Sequence, residues 1–204
     1  MRERLIIIGA SGHGRVIADI ALKMNKWKEI AFLDDEKGKS SLGFDVIGKS
    51  KDFKNYIDNS EIIVGIGNNE VRQKIQSELE VLGASIPVLI HPNAVIGEEV
   101  EVGAGTVVMA GVVINCSTRI GRGCIINTSA SVDHDNFIED FVHVSPGVRL
   151  AGTVKIGRGT WLGIGSVVSN NIRVVKDCKI GAGSVVIKDI IKTGTYVGGP
   201  VRRV

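Results

Sequence analysis

Aromatic side chains are scarce in this chain: two Trp, two Tyr and five Phe serve 204 residues. A core on this scale cannot rest on rings, so it must be built from Ile, Val, Leu and small residues. Proline is also rare, at four, while glycine reaches 26, which points to many tight turns. Neither sign of charge dominates. Twenty-five basic and 22 acidic residues leave +3, too mild to argue for nucleic acid or a membrane surface as partner. No apolar run approaches a membrane span. Met1 to Gly9 has no apolar stretch long enough for a signal peptide, so a cytoplasmic protein without membrane insertion is expected. Cys116, Cys124 and Cys178 show no Cys-x-x-Cys spacing and are expected to be buried small residues. High aliphatic content with ordinary charge excludes wholesale disorder.

The pattern changes near residue 88, giving two expected domains, 1–88 and 89–204. In the first, Leu5 to Ile8 reads as a buried strand. Val16, Ile17, Ile20, Ala21 and Met24 then recur at helical spacing. Ile30 to Leu33 reads as a second strand, closed by Asp34-Asp35. A short helix carries Phe53, Tyr56 and Ile57. Glu61 to Ile66 reads as a third strand, and Asn69 as the N-cap of a helix with Val71, Ile75, Leu79 and Leu82 on its apolar stripe and Gly83 at its end. Ile86 to Ile90 reads as a last strand. Alternating strand and helix implies a small Rossmann-like parallel sheet.

The second domain has a period of six. Every sixth residue from Ile90 to Val186 is Ile, Val or Leu, seventeen in succession. The position four after each is often small, as at Ala94, Thr106, Thr118, Cys124 and Ala130. The position one after is often Gly, Asn or Asp, as at Gly97, Gly103, Gly121, Asn127 and Asp133, and is expected to supply the corner geometry. Six residues make one short strand and one corner, and three sixes make one coil of a parallel β-helix. The period does not give the hand.

Three groups of residues carry chemistry. Gly9-Ala10-Ser11-Gly12-His13-Gly14 joins the first strand to the first helix, where free N–H groups bind phosphate. Its spacing is Gly-x-x-Gly-x-Gly, not the dinucleotide Gly-x-Gly-x-x-Gly. Asp34 follows Gly14 by twenty residues, where a carboxylate can accept from ribose hydroxyls, and Gly65-Ile66-Gly67-Asn68-Asn69 forms a second loop at the same sheet edge. A plain strand-to-helix turn remains the alternative. In the second domain, Asp133-His134-Asp135 flanks a histidine with carboxylates, which suits a general base. A solvated corner is the bland alternative. Zinc held by His134, Asp135 and His143 is a further one. His91 before Pro92 reads as the domain joint. The cysteines lie in or beside the inward phase, which argues against a thiol nucleophile.

These residues resemble a known family. The hexapeptide run resembles left-handed β-helix acyltransferases. The whole chain resembles the sugar N-acetyltransferases that modify UDP-4-amino-4,6-dideoxy sugars in the bacillosamine pathway, relatives of sialic acid O-acetyltransferases. The marks are Gly9 to Gly14, Phe32-Leu33-Asp34-Asp35, Ile66-Gly67-Asn68-Asn69-Glu70, Asn127-Thr128-Ser129, His134, His143-Val144-Ser145 and Val197-Gly198-Gly199-Pro200. The resemblance implies an α/β nucleotide-sugar domain followed by a left-handed β-helix, and acetyl transfer with His134 as general base. It implies that the next residue, usually Glu and here Asp135, raises that base's basicity. It places Ser11, Gly12, His13, Asp34, Asp35 and Gly65 on the uridine nucleotide, and Asn127 on the substrate. It places His143, Gly152, Ile164, Gly181 and Ala182 on acetyl-CoA, with Gly152 as oxyanion donor. It implies a homotrimer with acetyl-CoA between subunits and no metal. Competing readings are O-acetylation of a sialic-acid-like hydroxyl, a GDP carrier, a non-catalytic nucleotide-binding β-helix protein and, most weakly, an NAD-dependent oxidoreductase.

Overall fold

The computed structural model describes residues 3–36 and 42–204. The chain forms two compact units, Met1–Pro92 and Asn93–Val204. In the first unit four strands, β1 (Arg4–Ile8), β2 (Glu29–Leu33), β3 (Val46–Gly48) and β4 (Glu61–Val64), form a parallel sheet in the order β3-β2-β1-β4. Leu5 to Ile8 are all fully buried. That is why the run is uninterrupted rather than alternating: a parallel sheet is covered on both faces. Ile6, Ile8, Ala31, Leu33, Ile62 and Val64 meet Phe53 and Leu79 on one side. Helix α1 (Gly12–Met24) buries Ile17, Ala18, Ile20 and Ala21. Phe53 lies on a 3-10 helix, Ser50–Tyr56.

Several details differ from expectation. β3 was not foreseen; its three residues are all half-buried and show no alternation. The third strand stops at Val64, and residues 86–88 are not in a strand. Helix α2 (Asn69–Val81) is capped by Asn68, whose side chain accepts from Val71 N–H at 3.0 Å. The buried side of α2 is Arg72, Gln76 and Leu79, while Val71 and Leu82 are exposed. Arg72 can be buried because its guanidinium donates to the Ile66 and Gly67 carbonyls and to Asn69 Oδ1.

The second unit is a parallel β-helix. Two-residue strands pair in register with the strand eighteen residues on, building three faces. One face stacks Ile125, His143, Trp161 and Lys179. The next stacks Ser131, Arg149, Val167 and Val185. The third stacks Arg119, Phe137, Lys155 and Arg173. From Val108 onward every residue of the sixfold phase is buried, and the earlier members are half-buried. Of the cysteines, Cys124 and Cys178 fill inward corner positions, but Cys116 is exposed because it sits at the outer edge of a corner.

The corner glycines act differently from the expectation. Left-handed φ values occur at every sixth residue from Glu99 to Gly183, three after the inward residue rather than one, and Ser117, Asp135 and Asn171 adopt them as well as glycine. The glycines one after the inward residue answer a different need, the close approach of stacked coils. A Cβ on Gly103 would lie 2.5 Å from Arg122 N, and one on Gly157 would meet Lys176 N and come 2.6 Å from the Val175 carbonyl carbon. These neighbours are backbone and cannot swing aside. Gly157→Ala should therefore destabilise the chain by about 1–3 kcal/mol, the usual range for overpacking. A urea-unfolding midpoint equal to wild type would show that the coils separate without strain.

Candidate functional site

His134 occupies a corner of the β-helix, residues 133–136. Stacking at eighteen-residue intervals puts it between Cys116 on the coil before and Gly152 on the coil after. His134 Nδ1 lies 2.7 Å from Asp135 Oδ2, and both side chains are about half exposed. A carboxylate accepts only, so Nδ1 carries the proton and Nε2 holds a lone pair. Nε2 makes no hydrogen bond among the described residues. The ring lies over Gly152, where a Cβ would come 2.6 Å from both Cε1 and Nε2. Glycine is what lets the imidazole lie there. The Gly152 N–H donates to no group among the described residues, while its carbonyl accepts from Asn171 N–H at 3.0 Å. A base lone pair and a backbone N–H therefore belong to two directly stacked corners.

Asp133 braces the same corner. Its Oδ1 accepts from His134 N–H at 2.9 Å and from Asn115 Nδ2 at 2.8 Å. The Asn115 bond, followed by the His134 N–H, holds the Asp133 carboxyl below the usual carboxylate range. The hydrogen bond to Asp135 raises the His134 pKa above the ordinary imidazole value, desolvation opposes it, and the charges of Asp133 and Asp135 act in the same upward direction. Asn115 was not foreseen, although its place eighteen residues before Asp133 is a signal once the period is known.

The other expected β-helix residues lie elsewhere on this unit. Asn127, His143, Ile164, Gly181 and Ala182 gather on one face and the corner that follows it. Asn127 Nδ2 lies 3.2 Å from His143 Nε2. Because Asn127 Oδ1 accepts from Thr128 N–H at 2.8 Å, the amide turns its N–H toward the ring and His143 accepts at Nε2. Trp161, also not foreseen, sits one coil below His143 with ring centroids 6.5 Å apart and donates to Ser145 Oγ at 2.8 Å. Of the expected donor contacts, only Gly152 is with His134. Among the described residues no three His, Cys, Asp or Glu side chains are grouped to hold a metal, and His134 and His143 do not converge.

In the α/β unit the two loops are brought together. Gly65 N–H donates to Ile8 O at 2.7 Å, and a Cβ on Gly65 would lie 2.8 Å from Gly14 Cα. Asp34 takes Ala10 N–H at 2.7 Å on one oxygen and Glu36 N–H at 2.9 Å on the other. Its carboxylate thus clamps the glycine loop. Asp35 accepts from Ser50 N–H at 3.1 Å. Ser11 precedes α1 with an exposed side chain that makes no capping bond, and no acidic residue stands in the first turn of the helix. Exposed N–H groups there suit an anion. Arg72, buried under the second loop, had no signal in the sequence beyond its place three after Asn69.

The PglD N-terminal domain family matches residues 4–79. The acetyltransferase domain of PglB from Neisseria gonorrhoeae FA1090, in complex with acetyl coenzyme A, is 37% identical, with a TM-score of 0.97 over 100% of both chains. PerB from Caulobacter crescentus, in complex with CoA and GDP-perosamine, is 33% identical with a TM-score of 0.93, covering 98% of this chain and 96% of that one. GDP-perosamine N-acetyltransferase of Escherichia coli O157:H7 is 29% identical over 177 residues, 81% of this chain and 78% of that protein. The architecture is theirs throughout, and the β-helix is left-handed.

The hydrogen bond between Asp135 and His134 sets a test. Asp135→Asn should move the His134 titration midpoint, followed by imidazole NMR shifts, to lower pH, because a neutral amide no longer favours imidazolium. An unmoved midpoint would show that the pair is not coupled in solution.

Proposed function

This chain belongs to the sugar N-acetyltransferases that join a PglD-type N-terminal domain to a left-handed hexapeptide-repeat β-helix, and from that membership we propose that it transfers the acetyl group of acetyl-CoA to the 4-amino group of a nucleotide-linked amino-deoxy sugar. The observation that carries this reading is the Asp135–His134–Gly152 arrangement: a raised-pKa base with a free Nε2, lying on a glycine whose N–H is unused.

The mechanism follows from those atoms. His134 Nε2 takes a proton from the sugar amine as the nitrogen attacks the thioester carbonyl. Asp135 stabilises the imidazolium that results, which gives the proton to the CoA sulfur as the tetrahedral intermediate collapses, the C–S bond breaks and the amide is left on the sugar nitrogen. Gly152 N–H faces the negative charge that develops on the thioester oxygen. Much of the acceleration comes from holding amine and thioester together. His143 is the weaker base candidate, because its Nε2 lone pair is engaged by Asn127.

The α/β unit is assigned the nucleotide end of the acceptor, with Ser11, Gly12, His13, Asp34, Asp35 and Gly65 as its contacts. In this assignment Asp34 acts through the glycine loop it clamps, and Asp35 is the carboxylate left more open to a ribose. Asn127 is assigned to the substrate, and His143, Gly152, Ile164, Gly181 and Ala182 to acetyl-CoA. The division of these residues between the His134 corner and the His143 face supports a site completed by a neighbouring copy, hence a homotrimer. Sedimentation at low micromolar concentration should give three chains per particle; a clean monomer would remove the shared site.

The resemblance in sequence favours a UDP carrier, whereas the perosamine relatives are named for GDP. Acetyl transfer measured across UDP- and GDP-linked 4-amino sugars and their 4-hydroxy counterparts ranks the nucleotides. Amino acceptors should react and hydroxyl acceptors should not. The reverse order would replace N-acetylation by O-acetylation. His134→Ala should lower kcat by about 10²–10⁴ with folding and acetyl-CoA affinity intact, the usual effect of losing a general base. Near-wild-type kcat would remove His134 from that role.

A further inference from the structure

The corner slot that points into the β-helix, four residues after each aliphatic phase position, holds Ala, Val, Thr, Cys, Ser or Ile at every corner but one. The exception is Asn136, and it closes the corner that carries His134. Asn136 is 2% exposed, so its amide must be satisfied from within. Its Oδ1 accepts from Val154 N–H at 3.2 Å. Its Nδ2 lies 3.0 Å from Ala151 O, 2.6 Å from Asp133 O and 3.3 Å from His134 O.

Threonine at the same slot shows what an ordinary polar corner does. Thr106 Oγ1 donates to the Gly121 carbonyl and accepts from Cys124 N–H. Thr118 Oγ1 donates to Asp133 O and accepts from Asn136 N–H. Each hydroxyl joins one coil to the next, donating to a carbonyl fifteen residues on and accepting from an amide eighteen residues on. Asn136 reproduces both bonds with Ala151 O and Val154 N–H. Its second amide hydrogen is the addition. That hydrogen turns back to the carbonyls of Asp133 and His134, inside its own corner. A hydroxyl has one hydrogen and cannot serve both the next coil and its own corner.

We propose that Asn136 is a positioning residue for the general base: its amide fixes the His134 peptide to the corner bearing Gly152, so that the imidazole stays over that glycine. This rests on the reading of His134 as the base. The consequence is geometric. Ala151 and Val154 flank Gly152, and Asp133 and His134 form the base's own turn, so one buried amide spans both halves of the reacting arrangement. The imidazole is half exposed and among the described residues only Asp135 hydrogen-bonds its ring, so the peptide that carries it must be fixed from below.

The test is Asn136→Thr, which keeps the two inter-coil bonds seen at Thr106 and Thr118 and loses only the tie within the corner. Thr106→Val serves as the structural control, since it removes inter-coil bonds at a corner carrying no assigned residue. In the intact full-length protein, Asn136→Thr should lower kcat about 10–100-fold, the range for slight misplacement of a catalytic group. The acetyl-CoA KM should be unchanged, and the thermal midpoint should be no lower than that of Thr106→Val, which keeps wild-type kcat. NMR titration of the His134 imidazole gives a readout independent of turnover. Looser geometry to Asp135 should bring its midpoint down toward the ordinary histidine value. The titratable side chains on the three stacked corners are Asp133, Asp135 and Cys116, and none is altered by the substitution. Wild-type kcat and an unmoved midpoint in Asn136→Thr, with His134→Ala inactive, would overturn the positioning role alone. An active His134→Ala would overturn both this role and the base assignment.

Discussion

Everything in the β-helix depends on one constraint: backbone N–H groups donate to the carbonyl seventeen residues on along the strands, which holds the coils in an eighteen-residue register. That ladder turns a linear distance into contact. Residues 115 and 133 become neighbours, as do 134 and 152, and 143 and 161. The chemistry is assembled along these columns rather than by loops folding over a pocket. It also explains why the ring of His134 needs glycine on the following coil. Stacked corners lie so close that a single methyl group would occupy the place of the imidazole edge.

The same ladder separates two histidines that lie nine residues apart in the sequence. Nine residues is half a coil, so His134 and His143 fall on different parts of the prism and meet different partners. His134 donates from Nδ1 to a carboxylate, which leaves Nε2 basic and open. His143 accepts an amide hydrogen at Nε2, which leaves its proton on Nδ1 and its lone pair engaged. One ring is prepared to take a proton, and the other is fixed in orientation beside an indole. The roles proposed for them follow from the partner that each column supplies.

Much of this was legible in the sequence because burial in a β-helix has a fixed period. Seventeen aliphatic residues at intervals of six mark the core directly, and the uninterrupted run Leu5 to Ile8 marks a strand covered on both faces. The hand was not legible, since a left- or right-handed coil buries the same residues. The purpose of the corner glycines was misread for a related reason. Gly103 and Gly157 sit beside the turns, yet what they avoid is a backbone atom eighteen residues away, which local turn chemistry does not reveal. Asn136 and Arg72 escaped for a third reason. Each is a polar residue most of whose partners are main-chain groups, which leave no trace in the sequence. An asparagine in a turn ordinarily reads as solvated, and only closure of the coil shows it to be inside.

The aspartate at position 135 illustrates how corner geometry and side-chain length are matched. Members of the resembled family usually carry glutamate there, and a side chain one methylene shorter would be expected to fall short of the imidazole. Asp135 instead stands at the left-handed position of its corner, with φ of 57°, and its carboxylate reaches Nδ1 at 2.7 Å. Aspartate tolerates that backbone region better than most side chains. A longer side chain must bend to make the same bond and surrenders rotamer freedom to do so. The shorter acid thus suits a base held low against the coil below. That low position is open only because the residue below is glycine, since a Cβ there would stand 2.6 Å from Nε2.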